Sequence, residues 1–286
     1  MLQFGTERKE LILVRKLFEQ ILSLSICMVL ILSYSIASAA GLENGNTDWA
    51  RGVASAKGTG HAPDEPGRVK SPGHARTLAR QAAILDSYAQ LAAHIEGIHI
   101  TSSATIKDNI LQDNFTSGDV DAVVKNASVV SEDWDGDTYT IILEVPLYGS
   151  SGAVARKFYP KNHAKEALPA PLAQVKVNNE YTGLIIDCTE IELEKSMMPT
   201  IFDEKNRQIY SYANLDYQAA VKHGVVSYAA STQDAKQAGS NPLVIKAIDE
   251  NDLNPVISAQ DADLLLTANQ STHFLETCAV VLIFNP

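Results

Sequence analysis

The chain reads as an α+β protein: one long helix packed on an antiparallel sheet, followed by a second, smaller α/β-type domain with a mixed sheet. Three observations predict this. Residues 74–97, HARTLARQAAILDSYAQLAAHIEG, repeat apolar side chains at helical spacing. Residues 138–147, TYTIILEVPL, alternate them at strand spacing, with Tyr139, Ile141, Leu143, Val145 and Leu147 on one face. From Gln174 onward, apolar runs (GLIIDC, LVIKAI, CAVVLIF) are interleaved with short helical segments, the pattern of a mixed sheet.

Residues 1–39 have the order of an export signal. Arg8, Lys9, Arg15 and Lys16 precede the apolar run ILSLSICMVLILSYSIA at 21–37, and the small triplet Ala37-Ser38-Ala39 ends it, so cleavage is expected after Ala39. The run is short for a spanning helix, which needs roughly 20 apolar residues, and an uncleaved anchor is the alternative. Either way the bulk of the chain lies outside the cytosol. Cys27 is a poor lipidation site, because Ile26 before it is large and more apolar residues follow.

The first module spans 48–149. Trp49 to Gly60 is a Gly-rich first strand, and His61 to Gly73 is a loop. Ser71 caps the long helix and Pro72 fits its first position, where a missing N–H costs nothing. Leu78, Ala82, Leu85, Ala89 and Ala92 form one apolar row, and Ile84, Tyr88, Leu91 and Ile95 an adjacent one. Arg76, Arg80, Ser87, Gln90 and His94 fall opposite, so the basic face is expected outward, with Gly97 as a left-handed stop. A strand at 98–106, another at 120–130 and an Asp135-Gly136 hairpin turn complete the module.

Residues 150–173 hold Gly152, Pro160, Pro169 and Pro171 and read as a linker. The second module, 174–286, opens on GLIIDC, a strand of the fully buried kind. PTIFD and RQIYSY make a hairpin around Glu204-Lys205-Asn206. A helix from Asn214 to His223, the strand VVSYA, a short helix at 232–238 and the strand LVIKAI follow. Ser258 and Asp261 form a capping box for a helix to Asn269, and CAVVLIF closes the chain inside a sheet.

Composition narrows the function. Of 286 residues, 45% are hydrophobic and 20% charged, a globular balance. The formal net charge is -11; the signal carries four Lys or Arg against Glu7, Glu10 and Glu19, so its removal leaves -12. Such a surface repels phosphate backbones, which argues against nucleic acid, and confines membrane contact to a peripheral role or to an uncleaved signal.

The helix and its neighbours carry a resemblance. Ala79-Arg80-Gln81-Ala82-Ala83, Asp86, Tyr88, Leu91, Ala92, Ile95 and Gly97, then Ser103, Thr105 and Asp108, and the later EVPLYG, resemble the LPP-twenty-type bacterial envelope lipoprotein family with its FlgP and FlgT relatives, over about Trp49 to Gly149. The resemblance implies an exported, non-enzymatic envelope protein, often associated with the outer membrane or flagellum. The missing lipidation cysteine departs from that family's attachment.

Candidate sites are few. Asp133, Asp135, Asp137 and Glu144 mimic calcium-loop spacing, but Thr138 stands where the sharp turn needs glycine, so a solvated hairpin tip is the plainer reading. Cys188 and Cys278 either bridge or stay as two buried thiols. Asp187 with Glu190 or Glu192 offers an acid–base pair or plain surface charge. The basic face of Arg76 and Arg80 is a docking face for an acidic partner or a solvated one. No serine elbow or phosphate loop is present, and the histidines lack metal-ligand spacing; no cofactor is expected. The expectation is an exported structural or interaction protein of the periplasm or outer membrane of a diderm bacterium, contacting envelope proteins or itself. The alternative is a periplasmic ligand-binding or hydrolytic protein, with a site in the second module between the strand ends and the Asp261 helix.

Overall fold

The computed structural model describes residues 45–63, 69–112, 114–173, 175–177 and 179–285. The expected signal, with Ala37 and Ala39, lies outside them. Asn44–Pro286 forms one compact unit, and a single apolar cluster runs through both sequence modules, from Ala54 to Leu282.

In the first module, β1 (Asn46–Asp48) and β2 (Val53–His61) precede the long helix α1 (Pro72–Glu96). A small hairpin, β3 (His99–Thr101) and β4 (Ala104–Thr105), leads to α2 (Ile106–Leu111) and α3 (Ser117–Val124), and β5 (Ser128–Trp134) and β6 (Thr138–Pro146) finish it. The antiparallel sheet runs in the order β1-β2-β6-β5. Its inner face, with Tyr139, Ile141, Leu143 and Val145 buried on β6, is covered by α1.

Alternation of β6 is as expected, but α1 is turned about its axis. Its buried row is Ala79, Ala83, Ser87, Leu91 and Ile95, whereas Leu85, expected inside, is 71% exposed. The reason lies in β2. A side chain at Gly58 would strike the backbone of Ala83 and Ser87, and one at Gly60 the backbone of Ala79 and Ala83. Bare glycines on the strand and small residues on the helix let the two backbones approach closely. Polar groups then tie the flanks: Asp86 Oδ2 accepts from the Thr59 N–H at 2.7 Å, and Thr47 Oγ1 and His94 Nε2 lie 2.8 Å apart. Ser71 caps the helix as expected, its Oγ accepting from His74 N–H. Gly97 ends it in a right-handed conformation at φ −81°, not a left-handed one.

The two expected strands form in part: within 98–106, His99–Thr101 and Ala104–Thr105 are strand and the chain turns helical only at Ile106, whereas within 120–130 the residues up to Val124 belong to α3 and strand begins at Ser128. Thr105 and Asp108 form a reciprocal capping box that starts α2, and Thr116 and Asp119 another that starts α3. Local side-chain bonds to the backbone thus override the β-branched composition at Ile106 and at Val120, Val123 and Val124.

Residues 150–173, expected as a linker, wall the core. They hold α4 (Val154–Phe158), in which Val154, Ala155 and Phe158 are buried; the buried Tyr159 hydroxyl donates to the Met197 carbonyl.

The second module holds two four-stranded sheets. One is wholly parallel, in the order β10-β14-β7-β11, from β7 (Gly183–Asp187), β10 (Ser227–Ala229), β11 (Pro242–Lys246) and β14 (Val280–Ile283). The other is mixed, in the order β12-β13-β8-β9, from β8 (Ile201–Asp203), β9 (Gln208–Tyr210), β12 (Asp249–Asn251) and β13 (Asn254–Ile257). Helices α5 (Tyr217–His223) and α6 (Ala259–Thr272) complete the module. The 232–238 helix is a short 3-10 turn at Lys236–Ala238, and the 214–223 helix begins only at Tyr217, after a separate 3-10 turn at Tyr212–Asn214. β7 is apolar from Gly183 to Ile186 because it is covered on both faces: Leu184 and Ile186 enter the main core, while Ile185 meets Val281, Ile283 and Ala238 in a second cluster. The modules are stitched by backbone: Met197 and Met198 N–H donate to the His99 and Ile100 carbonyls of β3 at 2.9 and 2.7 Å.

Candidate functional site

The outward side of α1 is the first candidate. Leu78, Ala82, Leu85, Ala89 and Ala92 recur at four- and three-residue steps, and helical geometry puts them on the side opposite the buried row. Ala82, Leu85 and Ala89 are exposed. The helix is therefore apolar on two sides, one filled by β2 and one exposed at Ala82, Leu85 and Ala89, while Ala92 at its end packs against the core.

The basic face expected on this helix is partly engaged by the sheet. Arg80 grips the Glu132 carboxylate of β5 with both Nε and a terminal nitrogen, Nε at 2.9 Å. The Tyr139 hydroxyl donates to Glu132 at 2.6 Å, and Arg76 lies 5.9 Å from the Tyr139 ring centroid. The Arg80 and Tyr139 bonds hold Glu132 down at about 2. Arg80 thus clamps helix to sheet, while Arg76 stays exposed above the Tyr139 ring.

The calcium-loop candidates do not converge. Asp135 Oδ1 accepts from Asp137 and Thr138 N–H and so shapes the hairpin tip. Glu144 is six residues up β6, roughly 20 Å away, in a bidentate pair with Arg51 at 3.0 Å. Among the described residues, no three His, Cys, Asp or Glu side chains are placed to hold a metal ion.

Cys188 and Cys278 are both buried free thiols. The parallel register explains why they do not bridge. Cys188 follows the carboxyl end of β7 and Cys278 precedes the amino end of its neighbour β14. Four or more strand residues, roughly 13 Å, separate those levels, well beyond the reach of a disulfide. Burial pushes each thiol up to about 12.

Asp187 and its neighbours make no acid–base pair. Asp187 Oδ1 accepts from the Thr189 N–H and hydroxyl, which lowers its titration, and Glu190 pairs with Lys246. The carboxyl edge of the parallel sheet is nevertheless recessed. A cleft of about 420 Å³ is lined by Thr189, Glu192, Glu194 and Phe284. A recess of about 270 Å³ beside it is bounded by Trp49, Tyr228 and Lys195, and one of about 300 Å³ by Thr47, His94, His99 and Lys195. Lys195 Nζ lies 5.1 Å from the Phe284 ring, and Trp49 meets Tyr228 edge-on at 5.2 Å. Burial lowers His94, so its neutral ring can accept from Thr47. Cation, carboxylates and aromatic rings along one edge make a surface for binding.

One polar centre gives no sequence signal. Asp203, its side chain fully buried, accepts from Arg207 Nε at 3.0 Å and from the Lys205 and Arg207 N–H groups. A terminal nitrogen of Arg207 reaches Asp263 Oδ1 at 3.3 Å, and the other donates to the Ala170 carbonyl. Asp263 accepts from Leu172 and Ala173 N–H, which lowers it. Asp263 reads in sequence as a helix-dipole residue; here it fastens the 165–173 strap. Under that strap a groove of about 380 Å³ runs along α6, past Leu266, Asn269 and His273.

Residues 183–286 match the family described as the second domain of Treponema pallidum Tp0624. The match starts at the first residue of β7 and takes in both sheets of the second module. No curated protein matches the chain. Among the described residues, no helix is long and apolar enough to cross a membrane.

Proposed function

We propose that the chain is an exported bacterial cell-envelope protein that works by protein–protein contact, in the periplasm or at the outer membrane. The observation that carries this reading is the outward row of α1, where Leu85 is 71% exposed on the longest of the described helices. Ala82, Leu85 and Ala89 together form a small contiguous apolar patch, and such patches favour contact with a partner. The signal-like order of residues 1–39 and the likeness of residues 183–286 to a Treponema domain support a bacterial, exported setting. The resemblance of 49–149 to envelope lipoproteins with flagellar relatives points the same way. Cell fractionation with in-cell crosslinking tests it. The expected result is a mature chain beginning at Ala40 in the envelope fraction, crosslinked to protein. Full-length chain recovered from the cytosol overturns it.

A second reading rests on the recessed carboxyl edge of the parallel sheet, where strand ends commonly place ligand sites. A periplasmic small molecule held beside Lys195 and Trp49 would change the fluorescence of Trp49. A screen of anionic and aromatic metabolites that leaves the emission of a Trp134→Phe variant unaltered removes this reading.

A further inference from the structure

Between the 165–173 strap and α6 runs a groove of about 380 Å³. From its lining we infer that it holds a small monocarboxylate, with the carboxylate at the Lys165 and His273 end and an unbranched apolar tail along Leu266. The site is separate from the outward row of α1 and from the recessed sheet edge.

The groove is preformed. One wall is a single face of α6, where Leu266, Asn269, Gln270 and His273 follow at three- and four-residue steps. The other is the strap from Lys165 to Ala170. A buried amide pins each wall. Asn269, 4% exposed, donates from Nδ2 to Glu276 Oε2 at 2.9 Å and accepts the Leu275 N–H at 2.9 Å. Asn214, 3% exposed, donates to the Glu166 and Ala167 carbonyls at 3.4 Å, and the Glu166 N–H donates to the Ala213 carbonyl. Walls fixed in this way spare a ligand the cost of ordering them. The volume lies toward the lower end of the range for small-molecule clefts.

Polarity sorts along the groove. Asp263, near the start of α6, holds Leu172 and Ala173, so the strap runs antiparallel to the helix and brings Lys165 to the His273 end. Lys165 accordingly acts on the Cys278 thiol, two residues past Glu276, and offsets part of the burial that raises it. Leu168, Pro169 and Leu266 continue away from that end. The carboxylates beside the two basic groups are engaged or exposed. Glu276 accepts from Asn269 and lies 3.4 Å from His273 Nδ1, Asp216 pairs with Lys165 at 3.2 Å, and Glu166 is exposed. The Lys165–Asp216 pair is itself exposed and therefore weak, so Lys165 can exchange it for a ligand. A carboxylate only accepts, so His273 Nδ1 carries the proton toward Glu276 and Nε2 is left for the ligand. In its protonated form the ring donates from Nε2 to an anion. His273 is held at φ 54°, a left-handed conformation that glycine usually fills at a helix end. Strain of this kind gathers at ligand sites. From His273 back to Leu266 the helix rises roughly 10 Å, a length that an acid of about eight carbons spans.

The experiment is isothermal titration of the chain from residue 40 with sodium butanoate, hexanoate, octanoate and decanoate. The expected result is saturable binding that strengthens about fourfold per added methylene as far as octanoate and levels off at decanoate, where the groove ends. Lys165→Met and His273→Gln should each weaken octanoate binding by about tenfold or more, with circular dichroism unchanged. Gln270→Trp, which fills the groove from an exposed position, should abolish it. Absence of saturable binding up to about 10 mM octanoate overturns the inference. Octylamine that binds as tightly as octanoate also overturns it, because the groove would then not select an anion. So does octanoate binding that survives both the Lys165 and His273 substitutions and falls with Lys195→Met, which would put the ligand at the sheet edge.

Discussion

The two sheets bury themselves in different ways. The antiparallel sheet β1-β2-β6-β5 turns one face to α1 and keeps the other open, so β6 alternates buried and half-buried residues along its length. The parallel sheet is covered on both faces around β7, and four of its five residues are buried in a row. An antiparallel sheet tolerates water on one side; a parallel sheet, built from crossovers, is wrapped by its own connections. The first sheet should therefore accept polar substitutions on half its positions, and the strands at the centre of the second on none.

The sharpest test is an aspartate on either face of β7. Ile185→Asp and Ile186→Asp should each destabilise by about 4–5 kcal/mol or more, because each buries an unpaired charge; urea denaturation checks this. If Ile185→Asp is tolerated, the second face is not closed. Arg207→Ala comes next. It leaves the Asp203 carboxylate buried without its cation, for a loss of about 3–5 kcal/mol by the same measurement. Gly58→Ala should cost about 1–3 kcal/mol by forcing α1 off β2, and a thermal melt following helix signal would report it. On the open face, Thr140→Lys should stay within about 0.5 kcal/mol. A large loss there would mean that this face is covered.

The Arg80–Glu132 clamp gives a small effect and a pH signature. Glu132 titrates at about 2 in the folded chain, below its ordinary value near 4.5. A depressed carboxylate stabilises the fold fully above its ordinary value, and that contribution is lost as pH falls through the folded one. The difference in melting temperature between the wild type and Glu132→Gln should hold from neutral pH to about 4.5 and vanish near 2. Loss of the difference already at pH 6 would assign the clamp to another group.

Periodicity carried the architecture. The α1 helix, the β6 alternation, the β8–β9 hairpin and the interior position of β14 all follow from spacing and turn residues read locally. The facing of α1 did not, because both its sides are apolar and only contact with Gly58 and Gly60 decides between them. Helices α2 and α3 were hidden behind Ile106, Val120, Val123 and Val124, although Thr105–Asp108 and Thr116–Asp119 held the capping signal in plain view. For the candidate site, spacing gave the row on α1 but assigned it to the wrong side. The Asp203–Arg207–Asp263 centre joins residues up to sixty apart, and no local pattern announces such a meeting. Likewise Cys188 and Cys278 look pairable until strand direction sends them to opposite ends of one sheet.

The bonds from Met197 and Met198 to β3 separate ancestry from autonomy. The Tp0624-like unit begins at Gly183, yet two of its backbone amides complete a hairpin that belongs to the preceding module. A protease nick between Glu180 and Gly183 should therefore leave both pieces in one particle on a sizing column.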